Sequence, residues 1–416
     1  MILKDAPEGF QPTEIGLIPV DWKLKQAKDI SGCIVPGRNK PKKFDGIIPW
    51  VTTSDIDKLG KIDNSKISLF ISKEEANAIG SRVVPANAVI ISCVGELGVV
   101  CVAENEIVIN QQLHAFLPNS KINSKYLSYI LSSLKEYFYS KATKTTLPYL
   151  NKDNCNSTPI PLPCIEEQTA IANALSDVDA LLTELEMLIT KKQAIKTATM
   201  QQLLTGKTRL PQFATYTEGT VEGKRKGTKP SELGEIPEDW DVSNIGSVLS
   251  ITTGSRNTQD KLSDGQYPFF VRSQTIERIN TYSFDGEAVL TAGDGVGTGK
   301  IFHYMNGKFD YHQRVYLMHN FGDRIDGYYF YIYFSNFFYD RIMSMTAKSS
   351  VDSVRREMIA DMLITLPSKE EQAAIATILS DMDNEIQTLE QRLTKTRQIK
   401  QGMMQQLLTG RTRLPY

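Results

Sequence analysis

A glycine-rich stretch near the start of the second half of the chain could in principle hold a phosphate. Residues 292–300 read AGDGVGTGK. The phosphate loop of nucleotide hydrolases needs a first glycine, four residues, a Gly-Lys pair and then Ser or Thr. Asp294 stands where that first glycine is required, Ile301 follows the lysine, and Thr298 takes the third glycine position of a dinucleotide fingerprint. We therefore expect a tight turn or a close backbone approach to a partner, and no nucleotide site.

Histidines and cysteines are spaced too irregularly for a known metal or nucleophile motif. No HExxH or GxSxG pattern occurs among the four histidines or around any serine. The five cysteines all fall in the first half and contain no CxxC pair. We predict reduced thiols in hydrophobic cores, no metal and no catalytic residue. The residues concerned are His114, His303, His312, His319, Cys33, Cys93, Cys101, Cys155 and Cys164.

Length and composition indicate a folded, multidomain protein. The chain has 416 residues, 41% hydrophobic and 23% charged, which is enough for two or three domains. Its apolar runs are much shorter than a bilayer crossing, and the N-terminus does not resemble a signal peptide, so we expect a cytoplasmic protein with no membrane partner. The net charge of −1 does not by itself indicate nucleic acid, because binding depends on where Lys and Arg cluster.

The chain repeats itself. Residues 162–211 match residues 366–415 at 29 of 50 positions without a gap, and both stretches end in QQLLTG(K/R)TRLP. Upstream, TEIGLIPVDW (residues 13–22) corresponds to SELGEIPEDW (residues 231–240). We therefore predict two variable globular blocks, each followed by a repeated helix. The predicted segments are a first globular domain (1–160), a first helix (161–211), a mobile polar linker (212–229), a second globular domain (230–364) and a second helix (365–416).

Both repeated segments have the apolar spacing of a helical seam, with steps of four and three residues. Ser368 and Glu371 form a capping-box pattern, and Gly206 and Gly410 stand where each helix should stop. Each helix is acidic in its first half and basic in its second, which favours antiparallel packing, although the polarity could also complement each helix's own dipole. The predicted seam residues are Ile171, Leu175, Val178, Leu182, Leu185, Ile189, Ile375, Leu379, Met382, Ile386, Leu389 and Leu393.

The variable blocks combine short β-like runs, punctuated by Gly, Pro and Asn, with a helix late in each block. The helical stretches are SKYLSYILSSLKEYFYS and GYYFYIYFSNFFYDRIMS. The expected fold is therefore mixed α/β. It has two similar globular domains joined by two long antiparallel helices, with a pseudo-two-fold internal repeat.

This order of motifs resembles a known family. A variable block, an LPxxEEQxxIAxxLSDxD helix ending in QQLLTGxTRLP, and then the same pair again is similar to the specificity subunit of type I restriction-modification systems. Further anchors are IPWVTTSDI, GELGVVCVA and NQQLHAFLP in the first block. The resemblance implies two target recognition domains, each reading one half of a bipartite double-stranded DNA target.

The resemblance also implies partners. The paired helices would set the spacer and dock two modification subunits, which are adenine methyltransferases, and the assembly can recruit restriction subunits that carry the motor and the endonuclease. S-adenosylmethionine would bind the methyltransferase, and this chain would bind no cofactor. It contains no NPPY-type methyltransferase motif, so it is expected to be non-catalytic.

Candidate DNA contacts are Lys and Arg side chains in loops, for phosphates, and polar side chains that can reach base edges. In the first block they are Arg38, Lys40, Lys42, Lys43, Thr52, Thr53 and Ser54. In the second block they are Arg256, Arg272, Lys300, Lys348, Arg355 and Arg356. Two other functions stay open at this point: a fused methyltransferase-specificity enzyme, and a coiled-coil scaffold that assembles protein partners without DNA.

Overall fold

The computed structural model describes residues 6–37, 39–57, 60–143, 146–345 and 353–415, which fall into two compact units. Unit 1 is Met1–Leu188 with Glu390–Tyr416, and unit 2 is Ile189–Leu389. Both boundaries fall inside a long helix. Each unit therefore contains the first part of one long helix and the last part of the other.

Unit 1 is a mixed α/β domain with several small sheets. Its strands are β1 (Phe10–Thr13), β2 (Gly16–Pro19), β3 (Lys23–Gln26), β4 (Cys33–Ile34), β5 (Ile48–Val51), β6 (Phe70–Ile71), β7 (Val89–Ser92), β8 (Val100–Val102), β9 (Val108–Ile109), β10 (Leu113–Phe116) and β11 (Pro159–Leu162). Its helices are α1 (Ala27–Ile30), α2 (Lys73–Ala78), α3 (Ser124–Ser133), α4 (Lys135–Lys141), α5 (Lys152–Asn156) and the first part of α6 (Ile165–Leu204).

The central sheet of unit 1 is buried on both faces. Its order is β4-β10-β7-β8, and all four residues of β7 and of β10 are buried. Val89 and Ile91 pack with Trp22 and Tyr126 in one core, whereas Ile90 packs in another core on the opposite side. Successive side chains of a strand point to opposite faces. This explains why the sequence here is a continuous apolar run without alternation.

Unit 2 repeats this plan with a larger sheet. Its strands are β12 (Thr228–Ser231), β13 (Gly234–Pro237), β14 (Asp241–Asn244), β15 (Ser250–Thr253), β16 (Tyr267–Phe270), β17 (Glu277–Ile279), β18 (Phe284–Ala292), β19 (Phe302–Tyr311), β20 (Val315–His319) and β21 (Leu363–Leu366). Its helices are α7 (Gly327–Ser344), α8 (Arg356–Ala360) and the first part of α9 (Lys369–Leu407). The large sheet has the order β15-β20-β18-β19-β16-β17.

The two late helices of the variable blocks differ from each other. The stretch predicted in unit 2 forms one helix, α7, with Asp326 as its N-cap. The stretch predicted in unit 1 is divided at Leu134 into α3 and α4. The prediction of a single helix there was wrong, because Leu134 leaves the helical conformation (ψ 18°) and serves as the C-cap of α3.

Each unit is held together by an anchor cluster of Asp, Trp, Glu and Arg drawn from three parts of the chain. In unit 1, Arg413 donates to both carboxylate oxygens of Asp21 (3.1 and 3.0 Å) and to Glu167 (2.8 Å), and Trp22 Nε1 donates to Glu167 (3.2 Å). The hydrogen bond from Arg413 holds the pKa of Asp21 below its usual value. The carboxylate of Glu167 is almost completely buried, so it depends on these partners.

The anchor cluster of unit 2 has the same composition. Arg209 donates to Asp239 (2.8 and 3.1 Å) and to Glu371 (2.6 Å), and Trp240 Nε1 donates to Glu371 (3.0 Å). In both clusters the Asp-Trp pair comes from the start of a variable block and the Glu from the start of a repeated helix. The Arg comes from the end of the other repeat.

The glycine of each LTG sequence lies against the same anchor. Gly410 has a φ of +66° after the end of α9, and a Cβ built there would lie 2.3 Å from the ring of Pro19 and 3.2 Å from Trp22. Gly206 has a φ of +70° after α6 and would meet Pro237 and Trp240 in the same way. Both glycines therefore follow their helices as predicted, and the absence of a side chain lets them pack on the anchor.

Two expectations about local structure need adjustment. Ser368 caps α9 by accepting the amide hydrogen of Glu371, but the Glu371 carboxylate does not complete the capping box because it binds Arg209 and Trp240. The segment interpreted as a mobile linker makes internal hydrogen bonds, such as Tyr216 N to Lys224 O at 3.0 Å. Lys226 in this segment also pairs with Asp239 at 2.8 Å. Within the described ranges, no helix is long and apolar enough to cross a membrane.

We predict that Arg413→Met lowers the free energy of unfolding by about 3–5 kcal/mol, because it leaves the buried Glu167 without its cation. Adding Glu167→Gln should restore most of that loss, since the amide can still accept from Trp22. The matched control is Arg397→Met, whose side chain is 56% exposed and pairs with Glu186; its cost should stay below about 1 kcal/mol. Urea unfolding of the full chain measures all three. Equal losses for Arg413→Met and Arg397→Met would contradict the role of the anchor.

Candidate nucleic-acid interface

Each unit has one pair of strands that run parallel and end at the same edge. In unit 1, β5 pairs in parallel with β9, with Val51 opposite Ile109. In unit 2, β16 pairs in parallel with β19, with Phe270 opposite Tyr311. The other pairs between described strands are antiparallel. Parallel strands bring the segments that follow them together. We call the segments that follow Val51 and Ile109 in unit 1, and those that follow Phe270 and Tyr311 in unit 2, the strand-end edge of each unit. Side chains from distant parts of the chain can converge on a ligand at such an edge.

The strand-end edge of unit 2 carries arginines that share one carboxylate. Arg272 donates to Asp294 at 2.8 Å, and Arg314 Nε lies 3.7 Å from the other oxygen of Asp294. Arg256 donates to the buried Asp310 at 3.2 Å. Asp294 belongs to the glycine-rich loop between β18 and β19, which forms turns as expected. Two guanidinium groups around one carboxylate leave an excess of positive charge at an exposed edge, which suits an anionic partner.

The buried side chain of His312 holds the backbone of Arg314 at this strand-end edge. It is buried, and its Nδ1 accepts the amide hydrogen of Arg314 at 2.9 Å. Burial, followed by the positive charge of Arg272, lowers the pKa of His312. The imidazole is therefore neutral at pH 7, in agreement with its role as acceptor.

The strand-end edge of unit 1 has the same backbone with uncharged side chains. Gln112 Oε1 accepts from Thr53 Oγ1 (3.3 Å) and from Asn110 Nδ2 (3.2 Å), and the side chain of Gln112 is exposed. Asn110 Oδ1 accepts the amide hydrogen of Gln112 at 3.1 Å, as His312 does for Arg314 in unit 2.

Backbone hydrogen bonds show which positions of the two edges correspond. Asn110 N donates to Val51 O in unit 1, and His312 N donates to Phe270 O in unit 2. The carbonyl of Gln112 accepts from the amide of residue 93, and the carbonyl of Arg314 accepts from the amide of residue 293. Gln112 and Arg314 therefore occupy equivalent positions with different chemistry.

The other candidate contacts of unit 1 have varied environments. Lys40, Lys42 and Lys43 are exposed in the loop before β5, and the backbone amide of Lys42 donates to Glu75. Thr52 caps the short turn that follows β5: its hydroxyl donates to Asp55 (2.8 Å) and lies 2.8 Å from the hydroxyl of the exposed Ser54. Arg38 lies outside the described residues.

In unit 2, two of the predicted residues belong to the strand-end edge and others lie elsewhere. Arg256 and Arg272 are in the edge described above. Lys300 lies over the ring of Tyr339, 5.0 Å from its centroid. Arg355 and Arg356 are exposed at the start of α8. Lys348 lies outside the described residues.

Several residues of these edges were missed by the sequence analysis, namely Asn110, Gln112, His312 and Arg314. The signal that could have found them is the polar triplet directly after an apolar strand, NQQ in one block and HQR in the other. The sequence analysis predicted reduced thiols in hydrophobic cores but did not indicate that two of these cysteines and one histidine lie together. Cys93, His114 and Cys155 lie together in unit 1, with their donor atoms within 4.8 Å of one another.

The long helices bring acidic and basic side chains together within each unit. In unit 1, Glu186 pairs with Arg397 (2.6 Å) and Asp179 with Lys400 (2.6 Å). In unit 2, Lys192 pairs with Glu385 and Lys196 with Asp383, at 2.7 and 2.5 Å. The paired residues ascend along one helix as they descend along the other, which is the order of antiparallel partners.

The residues assigned to the helical seam are apolar positions on these helices. Nine are buried: Ile171, Leu175, Leu182, Leu185, Ile189, Ile375, Leu379, Ile386 and Leu393. Val178, Met382 and Leu389 are half-buried. Ile171 and Leu175 pack in the core of unit 1 with Leu407 and Leu408, so the start of one helix and the end of the other share a globular core.

Comparison with known proteins identifies one family. The model of the type I restriction modification DNA specificity domain matches residues 19–197 and 237–400, once in each half. The putative type I restriction enzyme MjaX specificity subunit of Methanocaldococcus jannaschii is 25% identical over 432 residues, which is 98% of this chain and 97% of that protein. The MjaIX specificity subunit of the same organism is 27% identical over 285 residues, covering 66% of this chain and 63% of that protein.

A solved structure has a similar fold. The type I restriction-modification system S subunit from M. genitalium superposes with a TM-score of 0.61 at 14% identity, over 93% of this chain and 96% of that chain. At this level of identity the likeness establishes the fold alone.

We predict that Arg272→Ala combined with Arg314→Ala weakens binding to target DNA about 10-fold or more, since a side chain that reads a base contributes about 1–3 kcal/mol. The matched control is Arg324→Ala, because Arg324 is a similarly exposed arginine of unit 2 that pairs with Asp241 away from the strand-end edge. Fluorescence anisotropy with the assembled complex measures both. Equal weakening by both variants would show that the edge has no special role.

Proposed function

The chain belongs to the family of type I restriction-modification DNA specificity proteins, and we propose that it selects the DNA sequence on which such a complex acts. Each unit reads one half of a bipartite double-stranded target. The observation that carries this proposal is the duplication itself: the family model matches once in each half, and each unit has an equivalent strand-end edge.

The strand-end edges of the two units carry different side chains, which supports the recognition of two different half-sites. Arginine side chains bind guanine through two hydrogen bonds, and glutamine or asparagine side chains bind adenine in the same manner. Gln112 in unit 1 and Arg314 in unit 2 stand on equivalent backbone positions, so the two units offer an amide and a guanidinium to their DNA. We propose that these residues, with Thr53 and Arg272 beside them, contact bases. The loop residues Lys40, Lys42 and Lys43 are suited to phosphates.

The repeated helices are proposed to set the spacer between half-sites and to dock two methyltransferase subunits. Their 40 and 39 residues correspond to about 60 Å each at 1.5 Å per residue. Ile195 and Ile399 occupy matching positions in the two repeats and are 41% and 49% exposed. Two matching apolar positions on duplicated helices suit two copies of one partner.

In this proposal the chain selects the DNA sequence, and its partner subunits carry out the chemical reactions. Adenine methylation would take place on the methyltransferase subunits, which would bind S-adenosylmethionine, and restriction subunits can join the same assembly. We place the chain in the cytoplasm because its substrate is cellular or incoming DNA.

Methylome sequencing tests this proposal. Cells that express the chain with its methyltransferase should methylate adenines in a motif of two defined halves separated by unspecified bases. Gln112→Arg should alter the half read by unit 1 only, and Arg314→Gln the half read by unit 2 only. Arg324→Gln should leave the motif unchanged.

Two outcomes would contradict the proposal. If each single variant altered both halves, the units would not be independent readers. If the assembled complex bound DNA without the steep salt dependence of phosphate contacts, or did not bind it, a protein-binding scaffold would explain the chain better.

A further inference from the structure

A buried group of two cysteines and one histidine in unit 1 has no part in the proposed DNA reading. Cys93 follows β7, His114 belongs to the adjacent strand β10, and Cys155 lies on α5. The sulfur atoms of Cys93 and Cys155 are 3.5 Å apart, and His114 Nδ1 lies 3.2 Å from the sulfur of Cys155. All three side chains are at most 1% exposed.

We propose that Cys93, His114 and Cys155 bind a zinc ion that fastens α5 to the central sheet of unit 1. Zinc in proteins is tetrahedral, with bonds of about 2.3 Å to sulfur and about 2.0–2.1 Å to nitrogen. Those bond lengths place donor atoms roughly 3.5–3.8 Å apart. The two separations from the sulfur of Cys155 are 3.5 and 3.2 Å, and all three donor atoms lie within 4.8 Å of one another. The sulfur separation is much longer than the roughly 2.05 Å of a disulfide.

Unit 2 shows that the fold itself does not require these residues. Residue 93 donates its amide hydrogen to Gln112 O, as Gly293 does to Arg314 O. Thr158 N donates to Cys155 O, as Met362 N does to Ile359 O. His114 stands opposite Ile91, as Tyr316 stands opposite Thr291. The equivalent positions are therefore Gly293, Tyr316 and Ile359, which do not form such a donor set.

The donor types of the group also suit a metal. Cysteine thiolates and histidine nitrogens are the usual zinc ligands in structural sites, so zinc binding would release the thiol protons to solvent. A fourth ligand would complete the tetrahedron. Cys33 on β4 pairs with Phe116 on β10, and Phe116 is two residues from His114. Cys33 therefore lies on the same face of the sheet as His114.

The position of the group explains what the metal would do. The segment before α5 hydrogen-bonds to the sheet through Leu150 N and Cys93 O at 2.8 Å, and α5 leads into β11. A zinc ion at this point would join the end of β7, the middle of β10 and α5. Metal binding to a folded site adds directly to the stability of the fold.

Metal analysis of the full chain, purified without a tag under reducing conditions, tests the proposal. We expect about one zinc per chain by mass spectrometry. Cys93→Ser and Cys155→Ser should each reduce the zinc content at least tenfold. The matched control is Cys164→Ser, since Cys164 is an exposed cysteine outside the group; it should retain the metal.

A second measurement is made on the wild-type chain, and a variant that copies unit 2 serves as its control. Cobalt added to the zinc-depleted wild-type chain should produce the absorption of thiolate-to-cobalt charge transfer. The double variant Cys93→Gly/Cys155→Ile, which copies unit 2, should not. The proposal is overturned if the reduced wild-type chain binds neither metal, or if zinc persists in both serine variants. The proposal is also overturned if alkylation of the free thiols in fresh lysate leaves Cys93 and Cys155 unmodified and joined by a disulfide.

Discussion

A buried glutamate that needs an arginine from the other repeat is the constraint on which this fold depends. Glu167 and Glu371 stand in the first turns of the two long helices, and each carboxylate is almost fully removed from water. An uncompensated charge in such a place costs several kcal/mol. The cations that bind these two carboxylates are Arg413 and Arg209, which end the opposite repeats. Each unit is therefore complete only when it includes the end of the other repeat.

The same constraint explains which parts of the duplicated sequence stayed alike. The Asp-Trp pair, the Glu of EEQ, the glycine of LTG and the Arg of TRLP all meet in the anchor clusters. The glutamine of EEQ makes equivalent contacts in the two units, because Gln168 accepts from the amide of Asn123 and Gln372 accepts from the amide of Asp326. These contacts fix the start of α3 and α7, the helices that cover the central sheets. Residues between the anchors were free to diverge.

Local sequence signals predicted the elements that depend on local physics. Periodic apolar spacing located the two long helices, and the alternation of acidic and basic halves anticipated the order of the ion pairs. The glycines that follow each helix were also read correctly. These features follow from helical geometry, in which residues three or four apart share a face.

Features that depend on strand register could not be read in this way. The strand-end edges exist because β5 runs parallel to β9, and β16 to β19, and nothing in the local sequence indicates that pairing. The group of Cys93, His114 and Cys155 likewise depends on the pairing of β7 with β10 and on the position of α5. Of the capping box predicted at Ser368, the structure has the hydrogen bond from Glu371 N to the Ser368 hydroxyl, whereas the Glu371 carboxylate forms a long-range ion pair with Arg209.

The strand-end edges are arranged so that the proposed DNA contacts could change without loss of the fold. The backbone there is held by main-chain hydrogen bonds, such as Asn110 N to Val51 O and His312 N to Phe270 O, which do not depend on the side chains that follow. Gln112 and Arg314 project from this common backbone and are exposed, so exchanging them costs the core little. The stability of each unit comes instead from the anchor cluster and the buried sheet. The residues proposed for DNA recognition are therefore different from those on which folding depends, and the repeated helix can remain constant while the strand-end edges diverge.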